Sequence, residues 1–292
     1  MTMAGQVIDT LPECPGVYRF LDADGQALYI GKSINLRTRV KTHLANAKKS
    51  SRQMRMVAGS ARIDVRPTAG EVGALLLENE AIKQQLPIFN KRQRNMRRMW
   101  SFTLRDNGAG FAVPSLQAYA VERPDILATY GAYANRSHAR KSLQSLARRE
   151  RLCPQILGLE AGKGPCFQFQ IGRCDGACNG LEGTKAHNHR LLAALNNQRL
   201  SAWPVTRPIL LHETADNPAL QPEKEWHLLH NWTYMGTFNS LEGARTAKVA
   251  PAFMFDKDTY HILKRTLRRR QLPLLCAETL KPVEWPELSQ AQ

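Results

Sequence analysis

The 292-residue sequence has no apolar run that approaches the roughly 18 residues of a membrane span, and no charged-then-apolar signal pattern at its N-terminus. Both absences predict a cytoplasmic protein. The sequence also has no internal repeat and no low-complexity segment, and its 43% hydrophobic content is enough for folded cores. Disulfides are rare in the cytosol, so we interpret the six cysteines as ligands, reactive thiols or buried side chains.

Acidic residues are few for a chain of this length. The sequence has 41 Lys and Arg against 25 Asp and Glu, a formal net charge of +16 at pH 7. Lys and Arg gain affinity for polyanions by releasing counterions from phosphates, so the charge predicts a nucleic-acid partner. The positive charge is concentrated at residues 91–98, 136–151 and 264–270. None of these stretches by itself indicates sequence-specific reading.

A β-hairpin is predicted near the N-terminus. Two short strands, residues 16–21 and 26–31, flank the turn residues Asp22-Ala23-Asp24-Gly25. If those residues form the loop, Tyr18 lies directly opposite Tyr29, with the two side chains about 5 Å apart on one face. A bulge in the turn would shift this register. Residues 62–66 alternate in polarity and predict a third strand.

A basic helix is predicted after the hairpin. Ser33 is its candidate N-cap, residues 36, 40 and 44 form its apolar stripe, and it runs to about residue 45. Arg39 and His43 lie one helical turn apart beside that stripe, and Lys32 lies at the helix start. Basic groups are therefore expected around the two tyrosines.

A second helix is predicted over residues 74–86, ending before Pro87. Leu75, Glu78 and Ile82 share one face of it, so Glu78 occupies an apolar position. A carboxylate there is costly unless it is paired or bound to a metal ion. The alternative to a functional group is an inward Glu paired with an Arg.

The ordered motifs of this region resemble the GIY-YIG nuclease family. They are Gly16-Val17-Tyr18, Tyr29-Ile30-Gly31, Lys32, Arg39, Leu75-Leu76-Leu77-Glu78 and Phe89-Asn90, with Val17 where the name-giving pattern has Ile. The resemblance implies a metal-dependent DNA endonuclease whose catalytic domain has a small three-stranded antiparallel sheet flanked by helices. It further implies that Glu78 holds one Mg²⁺ or Mn²⁺ and that Arg39 contacts the phosphate.

The same resemblance assigns water activation to Tyr18 or Tyr29, and the sequence does not decide between them. A tyrosine has a pKa of about 10, so a base near neutral pH needs that pKa lowered by about three units, roughly 4 kcal/mol. The neighbouring charges of Lys32 and Arg39 could supply this. His43 and Asn90 match positions that support the site.

Residues 100–152 resemble the segment that follows the nuclease domain in the UvrC family. They predict a hairpin with an Asn107-Gly108 turn and a second strand over 116–122, a loop at 130–133, and a helix from Ser137 to about residue 152. The outer face of that helix is expected to carry Arg140, Lys141, Arg148 and Arg149.

A cysteine set follows, with twelve, seven and three residues between its members Cys153, Cys166, Cys174 and Cys178. Four thiolates can bind Zn²⁺ or an iron-sulfur cluster, although no pair shows the Cys-x2-Cys spacing common in zinc ribbons. The set resembles the UvrC cysteine motif, which implies a [4Fe-4S] cluster; Zn²⁺ or four unliganded cysteines are the alternatives. A helix is predicted over 186–199, where His187 and His189 point apart and are interpreted as surface residues.

The predicted fold is α/β (α+β) with four parts. Residues 1–95 form the GIY-YIG endonuclease domain, 96–152 a basic hairpin and helix segment, 153–200 the cysteine-rich iron-sulfur region, and 201–292 a basic C-terminal α/β extension of unknown role. The extension is predicted to contain strands at 208–212 and 226–229 and a basic helix at 260–270. No second set of metal-binding carboxylates is evident in it.

The UvrC resemblance implies a function in nucleotide excision repair. This chain is too short for the second nuclease domain of full-length UvrC, so it is most like the shorter family members with one nuclease centre. These make a single incision on the 3′ side of a lesion in double-stranded DNA, with UvrB as partner and UvrA acting upstream. Two alternatives stay open: a junction or homing nuclease of the GIY-YIG type that acts without UvrA and UvrB, and a non-catalytic DNA-binding protein. The sequence does not indicate an oligomeric state.

Overall fold

The computed structural model describes residues 8–90, 99–118, 129–162, 164–201, 203–247 and 256–285. The chain divides into two compact units. Of the described residues, 8–90, 203–247 and 256–285 belong to the first unit, and 99–118, 129–162 and 164–201 belong to the second. The N-terminal and C-terminal parts of the chain therefore share one unit. The four-part division made from the sequence stays a prediction.

The first unit contains a three-stranded antiparallel sheet with the strand order β2-β1-β3. Its strands are β1 (Gly16–Leu21), β2 (Ala27–Ser33) and β3 (Arg62–Pro67). This confirms the predicted hairpin and third strand. Side chains of β1 alternate between the two faces, with Val17 in one core cluster and Tyr18 and Phe20 in the other.

The register of the hairpin differs from the predicted one. Tyr18 pairs with Gly31 and Phe20 pairs with Tyr29. The turn is one residue longer than predicted, since Leu21 pairs with Ala27, and a β-bulge between Phe20 and Leu21 adds one more residue. The prediction that Tyr18 directly faces Tyr29 was wrong. The shift is two residues, so both tyrosines still share a face of the sheet, and their ring centroids are 6.1 Å apart.

Helices pack on both faces of this sheet: α1 (Leu36–Ala47), α2 (Ser51–Ala58) and α3 (Glu71–Gln85). α1 packs on the Tyr18 face and α3 on the Val17 face. Asn35 caps α1 by accepting the Thr38 N–H, so the prediction of Ser33 as the cap was wrong. The Ser33 hydroxyl instead donates to the Asn35 carbonyl at 2.7 Å. α3 ends before Pro87, as predicted, but begins at Glu71 rather than at residue 74.

The C-terminal part of the first unit has its own antiparallel sheet, in the order β10-β7-β8-β9. Its strands are β7 (Ile209–Thr214), β8 (Lys224–His230), β9 (Thr233–Phe238) and β10 (Leu274–Cys276), and its helices are α7 (Leu241–Thr246) and α8 (Lys257–Arg269). The two strands and the basic helix predicted here are confirmed. α8 packs against α3 of the nuclease region.

The second unit contains a three-stranded antiparallel sheet, in the order β5-β4-β6, and several helices. Its elements are β4 (Trp100–Asp106), β5 (Ala112–Ala118), β6 (Tyr130–Tyr133), α4 (Arg136–Arg149), α5 (Phe167–Gln170), a 3-10 turn (Ala177–Asn179) and α6 (Thr184–Asn196). The loop predicted at 130–133 was wrong, because that segment pairs with β4. Asn135 caps α4 instead of Ser137.

Two of the three basic stretches lie largely on helices. Residues 136–149 lie on α4 and residues 264–269 on α8, whereas residues 91–98 and the end of the strand predicted to residue 122 lie outside the described residues. Among the residues that are described, no helix is long and apolar enough to cross a membrane.

Candidate nuclease site and cysteine centre

Tyr18 and His43 form a buried pair beneath the nuclease sheet. The Tyr18 hydroxyl, from β1, and Nε2 of His43, from α1, lie 2.8 Å apart in hydrogen-bonding contact. Burial raises the pKa of Tyr18, and burial together with the charge of Arg39 lowers the pKa of His43 to about 4. Both groups are therefore neutral near pH 7. A Cβ at position 31 would overlap the Tyr18 ring, so Gly31 is required for this arrangement.

Tyr29 and Arg39 lie at the more open side of this pair. The Tyr29 ring centroid is 5.3 Å from that of His43, and Tyr29 is only partly buried. Arg39 is exposed on α1, one turn before His43. The pKa of the Arg39 guanidinium is raised, first by its hydrogen bond with Tyr18 and also by the charge of Glu78. Arg39 therefore lies near both the tyrosines and the carboxylate.

Glu78 brings a largely buried carboxylate from α3 to β2. Its Oε1 accepts the backbone N–H of Lys32 at 3.1 Å. Burial raises the pKa of Glu78 to about 7, opposed by that N–H and by the charges of Lys32 and Arg39. Within the described part of the chain it forms no ion pair, so the inward Glu–Arg pair considered from the sequence is not found. A bound cation would favour the ionised form of this carboxyl.

Lys32 and Asn90 form hydrogen bonds that stabilise the structure around the site. The Lys32 ammonium donates to Glu71 Oε1 at 2.7 Å, at the start of α3. Asn90 is buried against the edge of the sheet, where its Oδ1 accepts the Ile30 N–H at 2.9 Å and its Nδ2 donates to the Ile30 carbonyl at 2.7 Å. Asn90 thus pairs with β2 as another strand would, between Tyr29 and Gly31. The structure places all seven residues predicted for the nuclease site in this region, and their individual roles stay predictions.

The four cysteines converge in the second unit. Cys153, Cys166 and Cys174 are buried, and their sulfur atoms all lie within 4.8 Å of one another. The Sγ atoms of Cys153 and Cys166 are 3.9 Å apart. Cys178 is partly buried, and its sulfur accepts the Cys166 N–H at 3.3 Å. The buried set can hold a metal ion.

Backbone donors surround these sulfur atoms. The Phe169 N–H donates to Cys166 Sγ and the Gly176 N–H to Cys174 Sγ, each at 3.4 Å. Burial raises the pKa of Cys166 to about 11 and also raises that of Cys153. Thiolates in this setting need a cation, so the chemistry of the donor set fits a metal centre.

His187 was wrongly interpreted as a surface residue. It is fully buried beside the cysteine set, its Nε2 accepts the Cys153 N–H at 3.3 Å, and its ring packs edge-on against Phe111. His189, one residue on, is exposed as expected. Helical spacing correctly pointed the two rings apart, but it could not show which face of α6 meets the cysteines.

Three family models match the chain over most of its length. The UvrC-like GIY-YIG domain matches residues 14–91, the middle domain of UvrC/Cho excinuclease matches residues 102–197, and the excinuclease Cho C-terminal domain matches residues 208–281. Excinuclease Cho of Salmonella typhi is 39% identical over 267 residues, which cover 90% of this chain and 86% of that protein. The chain belongs to the excinuclease Cho family. This confirms the predicted family and enzyme class, a metal-dependent endonuclease of excision repair.

Two further relatives and one solved structure match different lengths of this chain. Excinuclease Cho of Escherichia coli (strain K12) is 38% identical over 263 residues, 89% of this chain and 84% of that protein. UvrABC system protein C of Methylococcus capsulatus is 34% identical over 180 residues, 61% of this chain but 29% of that protein. The GIY-YIG domain of Thermotoga maritima UvrC, crystallised with its catalytic magnesium, is 28% identical and covers 31% of this chain and 99% of that chain, with a TM-score of 0.29.

The sequence analysis missed one cluster in the C-terminal part of this Cho-family chain. Glu213, Glu225 and His227 are buried together, with donor atoms within 4.8 Å of one another. They lie on adjacent strands and pack on the start of α3, a contact between residues 140 apart in the chain. Their inward positions in alternating strands were the available signal, because buried carboxylates need partners.

Proposed function

We propose that this protein hydrolyses one phosphodiester bond on the 3′ side of a lesion in double-stranded DNA, after UvrA and UvrB have loaded the damaged site. The observation that carries the proposal is the largely buried Glu78 carboxylate, which lies close enough to Arg39 for the two charges to interact. A carboxylate with a pKa of about 7 is half ionised near neutral pH, and a divalent cation would hold it fully ionised. We assign Mg²⁺ to Glu78, with Mn²⁺ as the alternative.

Arg39 and Lys32 have different roles in this proposal: Arg39 binds the phosphate and Lys32 orients Glu78. When bound, the metal ion supplies charge neutralisation at the phosphoryl group. The exposed Arg39 guanidinium binds a non-bridging oxygen of the same phosphate. Lys32 orients Glu78 through its backbone N–H, while its ammonium remains paired with Glu71.

Tyr29 is our candidate for the general base. Tyr18 is fully buried and hydrogen-bonded to His43, and burial raises rather than lowers its pKa, so a water molecule cannot reach it and it resists ionisation. Tyr29 is only partly buried, so a water molecule can contact its hydroxyl. Tyr18 and His43 are then positioning residues, because their rings pack against the Tyr29 ring and hold its orientation.

α8 supplies positive charge near the site. Its exposed arginines include Arg265 and Arg269. The pKa of Glu71 is lowered first by its hydrogen bond with Lys32 and also by the charges of these two arginines, so α8 lies close to the start of α3. We assign these side chains to phosphate contacts, which position DNA without reading its sequence.

The cysteines are assigned a metal centre in the second unit. Family resemblance supports a [4Fe-4S] cluster held by Cys153, Cys166, Cys174 and Cys178. Zn²⁺ is the alternative, and the 3.9 Å between two of the sulfur atoms favours it. Tetrahedral Zn²⁺ with Zn–S bonds of about 2.3 Å separates its sulfur atoms by roughly 3.8 Å, whereas the iron atoms of a cluster spread them further.

The partners follow from the family. The Methylococcus capsulatus relative is named as a component of the UvrABC system, which supports UvrB as the partner of this chain and UvrA as the upstream loader. Chromosomal DNA is the substrate in such a system, so we assign the protein to the cytoplasm.

The proposal is tested by incision of an end-labelled duplex that carries one bulky lesion, in the presence of UvrA, UvrB, ATP and Mg²⁺. We expect one cut on the 3′ side with the wild-type chain and a loss of at least about a hundredfold with Glu78→Gln or Arg39→Ala. The matched control is Glu80→Gln, which removes another partly buried carboxylate of α3 and should retain activity.

Two results would contradict parts of this proposal. Cleavage of undamaged duplex at the wild-type rate without UvrA and UvrB would indicate another GIY-YIG pathway. Unchanged incision by Glu78→Gln would place the metal elsewhere.

A further inference from the structure

The N-terminus of α3 is capped by side chains from the C-terminal part of the chain. Its N-cap residue, Gly70, has no side chain to offer. Glu213 on β7 instead accepts the backbone N–H groups of Val72 at 3.0 Å and of Gly73 at 2.6 Å. These are N–H groups that the helix itself cannot pair, and a negative charge at this end also interacts favourably with the helix dipole.

A second carboxylate accepts a backbone N–H just before α3, and a histidine contacts the first carboxylate. Glu225, directly opposite Glu213 in the β7–β8 pair, accepts the Ala69 N–H at 2.9 Å. His227 Nε2 lies 3.0 Å from Glu213 Oε2, and its Nδ1 lies 2.8 Å from the Thr237 hydroxyl. Because all three acidic and imidazole side chains are buried, they have few alternative arrangements.

Two glycines allow the carboxylates to come this close. A Cβ at Gly70 would overlap the Glu213 carboxylate. A Cβ at Gly73 would lie 2.9 Å from Glu225 Oε2 and 3.0 Å from His227 Cε1. The start of α3 therefore packs closely against the acidic cluster of the C-terminal part, with no room for a side chain at either glycine.

The cluster could also be considered as a metal site, since its donor atoms lie within 4.8 Å of one another. Both oxygens of Glu213, however, already accept backbone N–H groups, and one of them also contacts His227. N–H hydrogens aimed into the cluster would repel a cation. The hydrogen-bond pattern therefore describes a helix cap.

The C-terminal part also holds α3 just beyond Glu78. Asn79 follows Glu78 directly, and its Nδ2 donates to Asp256 Oδ2 at 2.7 Å and to Thr259 Oγ1 at 2.8 Å. Lys83, one turn later, is buried and paired with Asp256. The α3 helix is therefore anchored on both sides of Glu78 by residues from the other end of the chain.

We propose that Glu213 is a positioning residue of the nuclease centre: by capping α3 it fixes the position of Glu78 and so sets the affinity of the centre for its divalent cation. This inference rests on the proposed role of Glu78 as the metal ligand. Gly73 and Glu78 are five residues apart, about 7.5 Å along the helix axis, so a shift or unwinding of the first turn is transmitted to the carboxylate. The C-terminal domain thereby contributes to cleavage without touching DNA at the reacting bond.

The test is a Mn²⁺ titration of the full-length chain, read both as lesion-duplex incision and as Mn²⁺ bound at equilibrium by electron paramagnetic resonance. Glu213→Gln keeps the side-chain shape but replaces one accepting oxygen with an NH₂ group and removes the charge. We expect it to raise the Mn²⁺ concentration for half-maximal incision about tenfold or more, with smaller change in the rate at saturating Mn²⁺. Glu213→Asp, which restores the charge, should recover part of that affinity.

Matched variants separate positioning from loss of stability. Glu223→Gln removes an exposed carboxylate next to the same sheet and should behave as wild type. Gly73→Ala pushes against Glu225 from the helix side and should weaken Mn²⁺ binding like Glu213→Gln. All measurements are made at a temperature where circular dichroism shows each variant folded.

Three outcomes decide the matter. Wild-type Mn²⁺ dependence in folded Glu213→Gln would overturn the positioning role. A second bound Mn²⁺ that disappears in Glu213→Gln would overturn the cap and make the cluster a metal site. If Glu78→Gln instead retained wild-type Mn²⁺ binding, the proposed role of Glu78 would fail, and that failure would be visible independently of the Glu213 variants.

Discussion

The Tyr18 hydroxyl lies 2.8 Å from Nε2 of His43, with both side chains buried between β1 and α1. The motif contains both tyrosines, and this hydrogen bond gives Tyr18 an environment different from that of Tyr29. Tyr18 is withdrawn from solvent, whereas Tyr29 remains partly exposed beside it. The chemistry proposed for the site follows from that difference.

Phenylalanine substitutions of the two tyrosines should give unequal losses. We expect Tyr29→Phe to reduce incision by about a hundredfold or more, as for removal of a general base, and Tyr18→Phe by less than about tenfold. Tyr18→Phe should also lower the free energy of unfolding by about 1 kcal/mol, because it removes the partner of His43. Single-turnover incision and urea denaturation measure the two effects. Equal losses of activity would refute the assignment of Tyr29 as the base.

The metal requirement should rise as the pH falls. The pKa of Glu78 is raised to about 7 in the metal-free protein, and only its ionised form can bind a cation. About a tenth of the carboxyls is ionised at pH 6 and about nine tenths at pH 8, so roughly tenfold more Mg²⁺ should be needed at pH 6 for half-maximal incision. A Mg²⁺ requirement that is flat between these pH values would contradict this.

Without metal, ionisation of Glu78 should destabilise the fold. A carboxyl whose pKa is raised from its ordinary 4.5 binds its proton more tightly in the folded state, so the free energy of unfolding falls as the pH rises from about 4.5 to about 7. Glu78→Gln should therefore be more stable than wild type in EDTA at pH 8, by about 2 to 3 kcal/mol, and similar to it near pH 4.5. Urea denaturation at both pH values measures the difference, and saturating Mg²⁺ should reduce it.

Asn90 should contribute to stability through both of its hydrogen bonds to Ile30. Asn90→Ala leaves the Ile30 N–H and carbonyl unpaired at the buried edge of β2, so we expect a loss of about 2 to 3 kcal/mol in the free energy of unfolding. Gln85→Ala, which removes an exposed amide, is the control and should change little. A loss of activity in Asn90→Ala with unchanged stability would instead indicate direct contact with the substrate.

The arginines of α8 should affect DNA affinity through salt. If Arg265 and Arg269 each contact one phosphate, the double change to Gln should reduce the slope of log K against log salt by about 2. Fluorescence anisotropy with undamaged duplex at several salt concentrations provides the measurement. Lys281→Gln, which removes one exposed positive charge elsewhere in the same unit, is the control for the single Arg265→Gln and Arg269→Gln changes and should leave the slope unchanged. An unchanged slope would remove α8 from the DNA interface.

The cysteine centre should be lost when a buried ligand is changed. Anaerobically purified protein with an iron-sulfur cluster should absorb broadly near about 400 nm, and Cys174→Ser should abolish that absorption. Cys276→Ser, outside the cluster, should retain it. Colourless wild-type protein with stoichiometric zinc would replace the iron-sulfur assignment with the zinc alternative, and the nuclease proposal would be unaffected.

Local sequence determined much of the nuclease region. Composition and turn residues predicted the first two strands correctly, and alternation along residues 62–66 predicted the third. The spacing of Leu75, Glu78 and Ile82 predicted an inward position for Glu78, which is partly buried in the structure. These features depend on backbone periodicity and side-chain size, which neighbouring residues specify. The order of the motifs sufficed to indicate the family.

Tertiary structure decided the rest, because the contacts involved join distant parts of the chain. A turn one residue longer than predicted and a one-residue bulge together moved the partner of Tyr18 from Tyr29 to Gly31, and turn composition does not encode such shifts reliably. Burial of His187 against the cysteines depends on which face of α6 packs inward. The capping of α3 by Glu213 joins residues that are 140 apart in the sequence. Periodicity within either segment cannot predict a contact between the two segments. The sequence determined which chemical groups are present, and the packing of the two ends of the chain determined which of them lie around Glu78 and its helix.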